Sequence, residues 1–129
     1  MRPPRPGLRW SRSRAARRAC YSAWMAGDAW LQTRERWPHT WVALYGSDPA
    51  CQACGGPWTL RRGHLHHRCY DRIGHERFVD LIPLDRDCHD RLHRILESTP
   101  TWQRMNRAQA TDLIVVLLRR RNRDAPSRP

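Results

Sequence analysis

The residues best equipped for chemistry in this chain are its cysteines and histidines. Cys51 and Cys54 stand two residues apart and are followed by Gly55-Gly56. That is the shape of a zinc knuckle, in which a tight turn lets both thiolates face one ion. Asp85 and Cys88 repeat the spacing, with 30 residues (55–84) between the two pairs. Three thiolates and a carboxylate can close a tetrahedral zinc site, clamping the intervening segment to whatever follows Cys88. Cys69 and His64 are alternative fourth ligands in place of Asp85. Five cysteines is an odd number, and no apolar leader follows the N-terminal arginines. Both features favour metal over a disulfide framework. Cys20 reads as a small buried residue.

Between and just beyond these pairs lie the imidazoles. Leu65-His66-His67 falls inside the zinc loop, and His89 and His93 come directly after Cys88. On a helix, residues four apart share a side, so His89 and His93 present two nitrogens together. A third from His66 makes a three-ligand site that leaves positions open for water and phosphate. On a strand, neighbouring side chains point oppositely, so His66 and His67 have different tasks, one toward metal and one toward substrate. Hydrolysis of a phosphodiester needs that division: a metal to stabilise charge and a base to deprotonate the attacking water. Histidine titrates close enough to neutrality to serve as the base. His39, His64 and His75 read as surface residues.

These side chains need a hairpin and a helix to hold them. Thr59–Arg62 and His64–Cys69 read as two short strands around Gly63. Residues 86–96 read as a helix with Cys88, Leu92, Ile95 and Leu96 on one face, stopping at Ser98-Thr99-Pro100. A last helix over 107–121 is capped by Asn106, and Ala110, Leu113, Ile114, Leu117 and Leu118 form its apolar stripe. Upstream, a helical pattern over 17–44 is interrupted at Gly27-Asp28 and Pro38, giving two or three pieces. Its Trp24, Trp30, Trp37 and Trp41 recur at helical intervals and mark a core packed on the metal module. The organisation is therefore a basic arm (1–16), a helical extension (17–45), a metal-binding core (46–98), and a C-terminal helix with a basic tail (99–129).

Charge points to the partner. Formal net charge is +12, and all 24 basic residues are arginine. The planar guanidinium matches phosphate, so nucleic acid is the expected ligand. Residues 46–97 carry eight arginines and eight acids, whereas residues 1–18 carry seven arginines and no acid. Residues 119–128 add five arginines against Asp124 alone. The grip on a polyanion is thus expected from the two ends, around a formally neutral centre. Arg61, Arg62, Arg68 and Arg72 surround the histidine pair and are candidates for phosphate contacts within that centre. The longest apolar run, Leu113 to Leu118, is too short to span a membrane.

Taken together, Cys51-Gln-Ala-Cys54, the segment Leu65-His66-His67-Arg68-Cys69-Tyr70 through Glu76, and Asp80-Leu81-Ile82-Pro83-Leu84-Asp85-Arg86-Asp87-Cys88-His89-Asp90-Arg91-Leu92-His93 resemble the HNH endonuclease family with flanking zinc pairs. The likeness covers residues 48–97. It implies an α+β fold with a small zinc-stapled ββα-metal core, a β-hairpin plus a helix, flanked by N-terminal and C-terminal helices. It further implies hydrolysis of double-stranded DNA, with His67 as general base and His66 and His89 holding a catalytic divalent metal, Mg²⁺ or another. His93 matches a third ligand of the related colicin-type nuclease toxins. The structural zinc falls to Cys51, Cys54, Asp85 and Cys88. Tyr70 and Glu76 correspond to positions that shape the loop after the base. By analogy the chain belongs in the cytoplasm of a bacterial or phage-infected cell, where some such proteins work beside a DNA-packaging machine. It departs from the family at Asp80, which takes the place of the loop-bracing Asn, and at Asp85, in place of a cysteine. An Asp accepts hydrogen bonds but cannot donate as an amide does. These departures support an alternative, a zinc-dependent nucleic-acid-binding module without catalysis. A nuclease toxin ranks last, because no delivery segment is evident.

Overall fold

The computed structural model describes residues 22–124. The basic arm, Cys20 and the end of the basic tail lie outside the described residues. Among the described residues the chain is α+β, with helices and one two-stranded antiparallel sheet. In order, the elements are α1 (Asp28–Tyr45), β1 (His64–His67), β2 (Leu81–Leu84), α2 (Arg86–Ser98), α3 (Pro100–Arg104) and α4 (Arg107–Asp124).

The partner of β1 differs from the sequence expectation. Thr59–Arg62 is a turn and not a strand, closed by Gly63 N–H donating to the Thr59 carbonyl at 2.7 Å. Gly63 is required there because a Cβ would lie 2.1 Å from Trp58 Nε1. β1 instead pairs with β2, in the register His64–Leu84, Leu65–Pro83, His66–Ile82, His67–Leu81. Pro83 hides this strand from a sequence reading, yet each strand of a two-stranded sheet is an edge, where the missing N–H is tolerated. The Pro83 carbonyl accepts from Gln52 N–H at 3.0 Å, which ties the cysteine knuckle to the sheet.

Alternation along these strands gives the hairpin two unlike faces. His64, His66, Ile82 and Leu84 share one, and Leu84 is part of a core with Leu92 and Leu96 of α2 and Ala110, Ile114, Val115 and Leu118 of α4. Leu65, His67, Leu81 and Pro83 share the other. There Leu65 and Leu81 join Trp30 and Trp37 of α1 and Trp58. The four tryptophans named from their spacing do form that second core, with Trp30 and Trp37 buried and Trp24 and Trp41 at its edge. Trp37 stacks on Phe78 at 5.1 Å, and its indole N–H donates to the Phe78 carbonyl.

α1 runs unbroken through Pro38, contrary to the expected interruption, while Ala26-Gly27 separates it from the helical turn before it, as expected at Gly27. A proline inside a helix costs about 3 kcal/mol, and burial of Trp37 next to it offsets that, since each large side chain removed from water contributes about 1.5–3 kcal/mol. α1 ends where Gly46 adopts φ 69° and donates to the Val42 carbonyl. α2 follows β2 directly because Asp85 caps it. Its positions 88, 92 and 96 face α4, which leaves 89 and 93 on another side. The Asn106 carboxamide oxygen accepts from Ala108 and Gln109 N–H, capping α4 as expected. The stop after Ser98 is observed, but Pro100 then opens the short α3, which the sequence reading left out.

Candidate metal centres

Two groups of ligand-bearing side chains converge, each with its ligand atoms within 4.8 Å of one another: Cys51, Cys54, Asp85 and Cys88, and His66, His89 and His93.

The cysteine group is built from turn chemistry. The knuckle closes with Gly55 N–H on the Cys51 carbonyl and Cys51 N–H on the Gly56 carbonyl, both at 2.8 Å. Gly55 sits at φ 74°, a conformation that side-chain-bearing residues adopt at a cost. Gly56 N–H then points at Cys54 Sγ at 3.4 Å, a donor that favours thiolate. Asp85 does two jobs. One carboxylate oxygen accepts from Cys88 N–H at 2.8 Å as the cap of α2, while the other lies 2.9 Å from Cys54 Sγ. An aspartate thus fits where a cysteine would lose the cap. Burial raises the Asp85 pKa, but the hydrogen bonds from Cys54 and Cys88 outweigh it and hold the group below its ordinary value. Burial and the Asp85 carboxylate push the Cys54 thiol up to about 11, and burial followed by the neighbouring Cys51 raises Cys88. A cation at the centre of this group is what would reverse those shifts, because thiolate is the metal-binding form. Neither alternative fourth ligand joins the group: Cys69 Sγ lies 3.8 Å from Asp80 Oδ1, and His64 stacks on His89 with ring centroids 4.4 Å apart.

The histidine group joins sheet to helix. His66 is 2% exposed and comes from the face of β1 that looks toward α2. His89 and His93 meet it from successive turns of α2, their Nε2 atoms 3.1 Å apart. Burial holds His66 well below the ordinary histidine range, with the charge of Arg107 second. Burial and then His93 bring His89 down to about 4, and burial and then Arg107 lower His93. All three rings are therefore neutral at pH 7, the form that binds metal. His66 Nε2 lies 3.2 Å from the hydroxyl of Thr111, a fully buried residue of α4. Thr111 escaped the sequence reading because nothing local separates a threonine of this role from any other on an apolar stripe. A cleft of about 630 Å³ lined by Tyr70, His89, Asp90, His93, Arg94 and Glu97 reaches the group from solvent.

His67 lies on the opposite hairpin face and is 1% exposed. Its ring sits 4.8 Å from Trp30 and 5.7 Å from Tyr70, and its Nε2 is 3.9 Å from Glu76 Oε1. Glu76 thus stands beside His67 with its own side chain 1% exposed. Asp80 ties the loop between the strands at both ends. Its carbonyl accepts from Arg68 N–H at 2.7 Å, directly after His67, and its carboxylate accepts from Arg77 N–H at 2.8 Å. Arg72 forms a two-point ion pair with the same carboxylate. Burial raises the Asp80 pKa, but the hydrogen bonds from Arg72 and Arg77 N–H and the Arg72 charge together outweigh it and hold the group below its ordinary value.

The arginines divide. Arg68 is paired with Asp112 of α4 through bonds of 3.0 and 2.6 Å, and Arg72 with Asp80, so both expected phosphate contacts already hold carboxylates. Arg61 and Arg62 instead line a second cleft of about 790 Å³ with Arg34, Arg86 and His64, and no acid shares it. Arg34 and Arg86 were absent from the sequence candidates because they become neighbours of Arg61 only in the fold. No helix among the described residues is long and apolar enough to cross a membrane. No protein family, curated protein or solved structure matches the chain.

Proposed function

We propose that this chain is a metal-dependent nuclease that hydrolyses phosphodiester bonds in double-stranded DNA, on a ββα-metal core formed by β1, β2 and α2. The observation that carries this reading is the convergence of His66, His89 and His93, three neutral imidazoles from strand and helix beside an open cleft. Cys51, Cys54, Asp85 and Cys88 hold a structural zinc that fixes the knuckle to the start of α2. The histidine group holds a divalent ion, and imidazoles suit a first-row transition ion better than Mg²⁺. Such an ion supplies charge stabilisation to a phosphodiester. His67 takes the proton from the attacking water, with the Glu76 carboxylate 3.9 Å from its Nε2. Asp80 keeps the loop after the base in one shape, and the charge that an asparagine would lack is matched by Arg72. The acid-free cleft of Arg34, Arg61, Arg62 and Arg86, together with the arginine-rich ends, binds the phosphate backbone, with affinity that falls as salt rises. In the described conformation Trp30 covers His67, so the start of α1 must move aside as substrate enters.

That cover is also the observation that favours a second reading, a zinc-dependent nucleic-acid-binding module without catalysis. Incubation with supercoiled plasmid and Ni²⁺, Mn²⁺ or Mg²⁺ separates the two. The nuclease reading expects nicking by the wild type, abolished in His66→Ala and reduced about a hundredfold or more in His67→Ala. Plasmid that is bound but never nicked by the wild type leaves the binding module standing and removes the nuclease.

A further inference from the structure

Arg107 is the first residue of α4 and lies outside every motif in the sequence, yet it stands at the histidine group. Its Nε donates to the His67 carbonyl at 3.0 Å, and its guanidinium carbon lies 4.3 Å over the Tyr70 ring. Carbonyl and ring hold the side chain in place, and the N–H groups of both terminal nitrogens remain for a ligand. Thr111, four residues further along the same side of α4, lies 3.2 Å from His66 Nε2, so Arg107 is on the side of the helix that faces the group.

Arg68 and Arg72, by contrast, are neutralised by acids, Arg68 by Asp112 and Arg72 by Asp80. The partners of Arg107 among the described residues are a carbonyl and a ring, and neither carries negative charge. A fixed cation beside a group suited to hold a metal cation is repulsive unless an anion lies between them. Tyr70, the ring under the guanidinium, also lines the cleft that opens onto His89 and His93. Asp90, Arg94 and Glu97 of that cleft are exposed and of mixed sign. Selectivity for an anion must therefore come from the metal and Arg107.

We propose that Arg107 is a phosphate-binding residue that shares a tetrahedral oxyanion with the metal at His66, His89 and His93. The oxyanion is a phosphodiester in the substrate and inorganic phosphate in its absence. The planar guanidinium offers two parallel donors to two oxygens of one phosphate, while a further oxygen faces the metal. This rests on the reading of the histidine group as a metal centre. It adds a second, non-metal anchor from α4, so that metal and phosphate bind cooperatively.

The test is calorimetric titration of Ni²⁺ into full-length protein whose cysteine group already carries zinc, with and without inorganic phosphate. In the wild type, phosphate should tighten Ni²⁺ binding by on the order of tenfold. Arg107→Met should bind Ni²⁺ at least as tightly as the wild type in phosphate-free buffer, because a repulsive charge is gone, and should lose the phosphate effect. Arg107→Lys keeps the charge without the fork and should retain part of it, which also serves should the Met variant fail to fold. Ni²⁺ binding that ignores phosphate in the wild type, or a phosphate effect that survives in Arg107→Met, overturns the role of Arg107 and leaves the metal centre intact. Absence of any Ni²⁺ site that depends on His66 overturns the metal centre, and the role of Arg107 with it.

Discussion

The two faces of one four-residue strand have unlike fates. His66 looks toward α2 and α4, where two more imidazoles, a threonine hydroxyl and Arg107 surround it. His67, the next residue, looks toward α1 and is packed among aromatic rings with Glu76 alongside. Both are buried, but the first lies among groups suited to an ion and the second under a tryptophan. The difference follows from the strand's period of two, which sends adjacent side chains into separate cores. It teaches that a His-His pair makes two environments out of one motif, and that distant helices decide what each becomes.

Breaking the aromatic face should have the largest effect. Trp30→Ala removes a side chain that is 3% exposed and should cost about 3–5 kcal/mol in urea unfolding. It should also uncover His67 to modification by an imidazole-directed reagent, while Ni²⁺ binding at His66 is retained in the molecules that remain folded. Loss of the metal together with the tryptophan would mean that the faces are not independent.

A smaller effect is expected from the loop brace. Asp80→Asn leaves Arg72 without its charge partner and should cost about 1–3 kcal/mol at pH 7. The sign of its pH dependence follows from a folded-state pKa below the ordinary carboxylate value. Stability from this group is fully present above about pH 4 and is lost as pH falls through the lower, folded value. The gap between wild type and Asp80→Asn should therefore be constant from pH 7 to about pH 5 and close in stronger acid. A gap that stays open at the lowest pH would show that the carboxylate's charge is not what braces the loop.

On the metal face, Thr111→Val keeps the shape and removes the hydroxyl beside His66. Chemical denaturation should register about 0.5–1.5 kcal/mol. No change at all would mean that the contact with His66 contributes nothing to holding the ring.

The legible part of this molecule was the part governed by short-range rules. The knuckle glycines, the Asn106 cap, the helix carrying Cys88, His89 and His93, and the tryptophan spacing each express a local preference and recur in the structure. Asp85 was legible as a candidate ligand, but its second task as helix cap, which makes an aspartate suitable, appears only in three dimensions. β2 was missed because Pro83 disguises a strand whose pairing is fixed by residues far along the chain. Pro38 was misread because helix propensity is weaker than the burial of Trp37. Arg68 and Arg72 looked like phosphate contacts until Asp112 and Asp80 arrived beside them, and Arg107 and Thr111 were invisible because α4 comes back to the hairpin from some forty residues away. Ligand spacing can be read along a chain, whereas the neighbours that tune the ligands cannot.

The central claim, that of the two adjacent histidines only His66 holds metal, is tested most directly by counting metal ions. Elemental analysis of wild type, His66→Ala and His67→Ala, each saturated with Zn²⁺ and freed of excess, should give about two ions, one and two per chain, respectively. The ion that survives in His66→Ala should disappear when Cys51 and Cys54 are also replaced by serine. Equal loss from His66→Ala and His67→Ala, or no loss from either, would contradict the account.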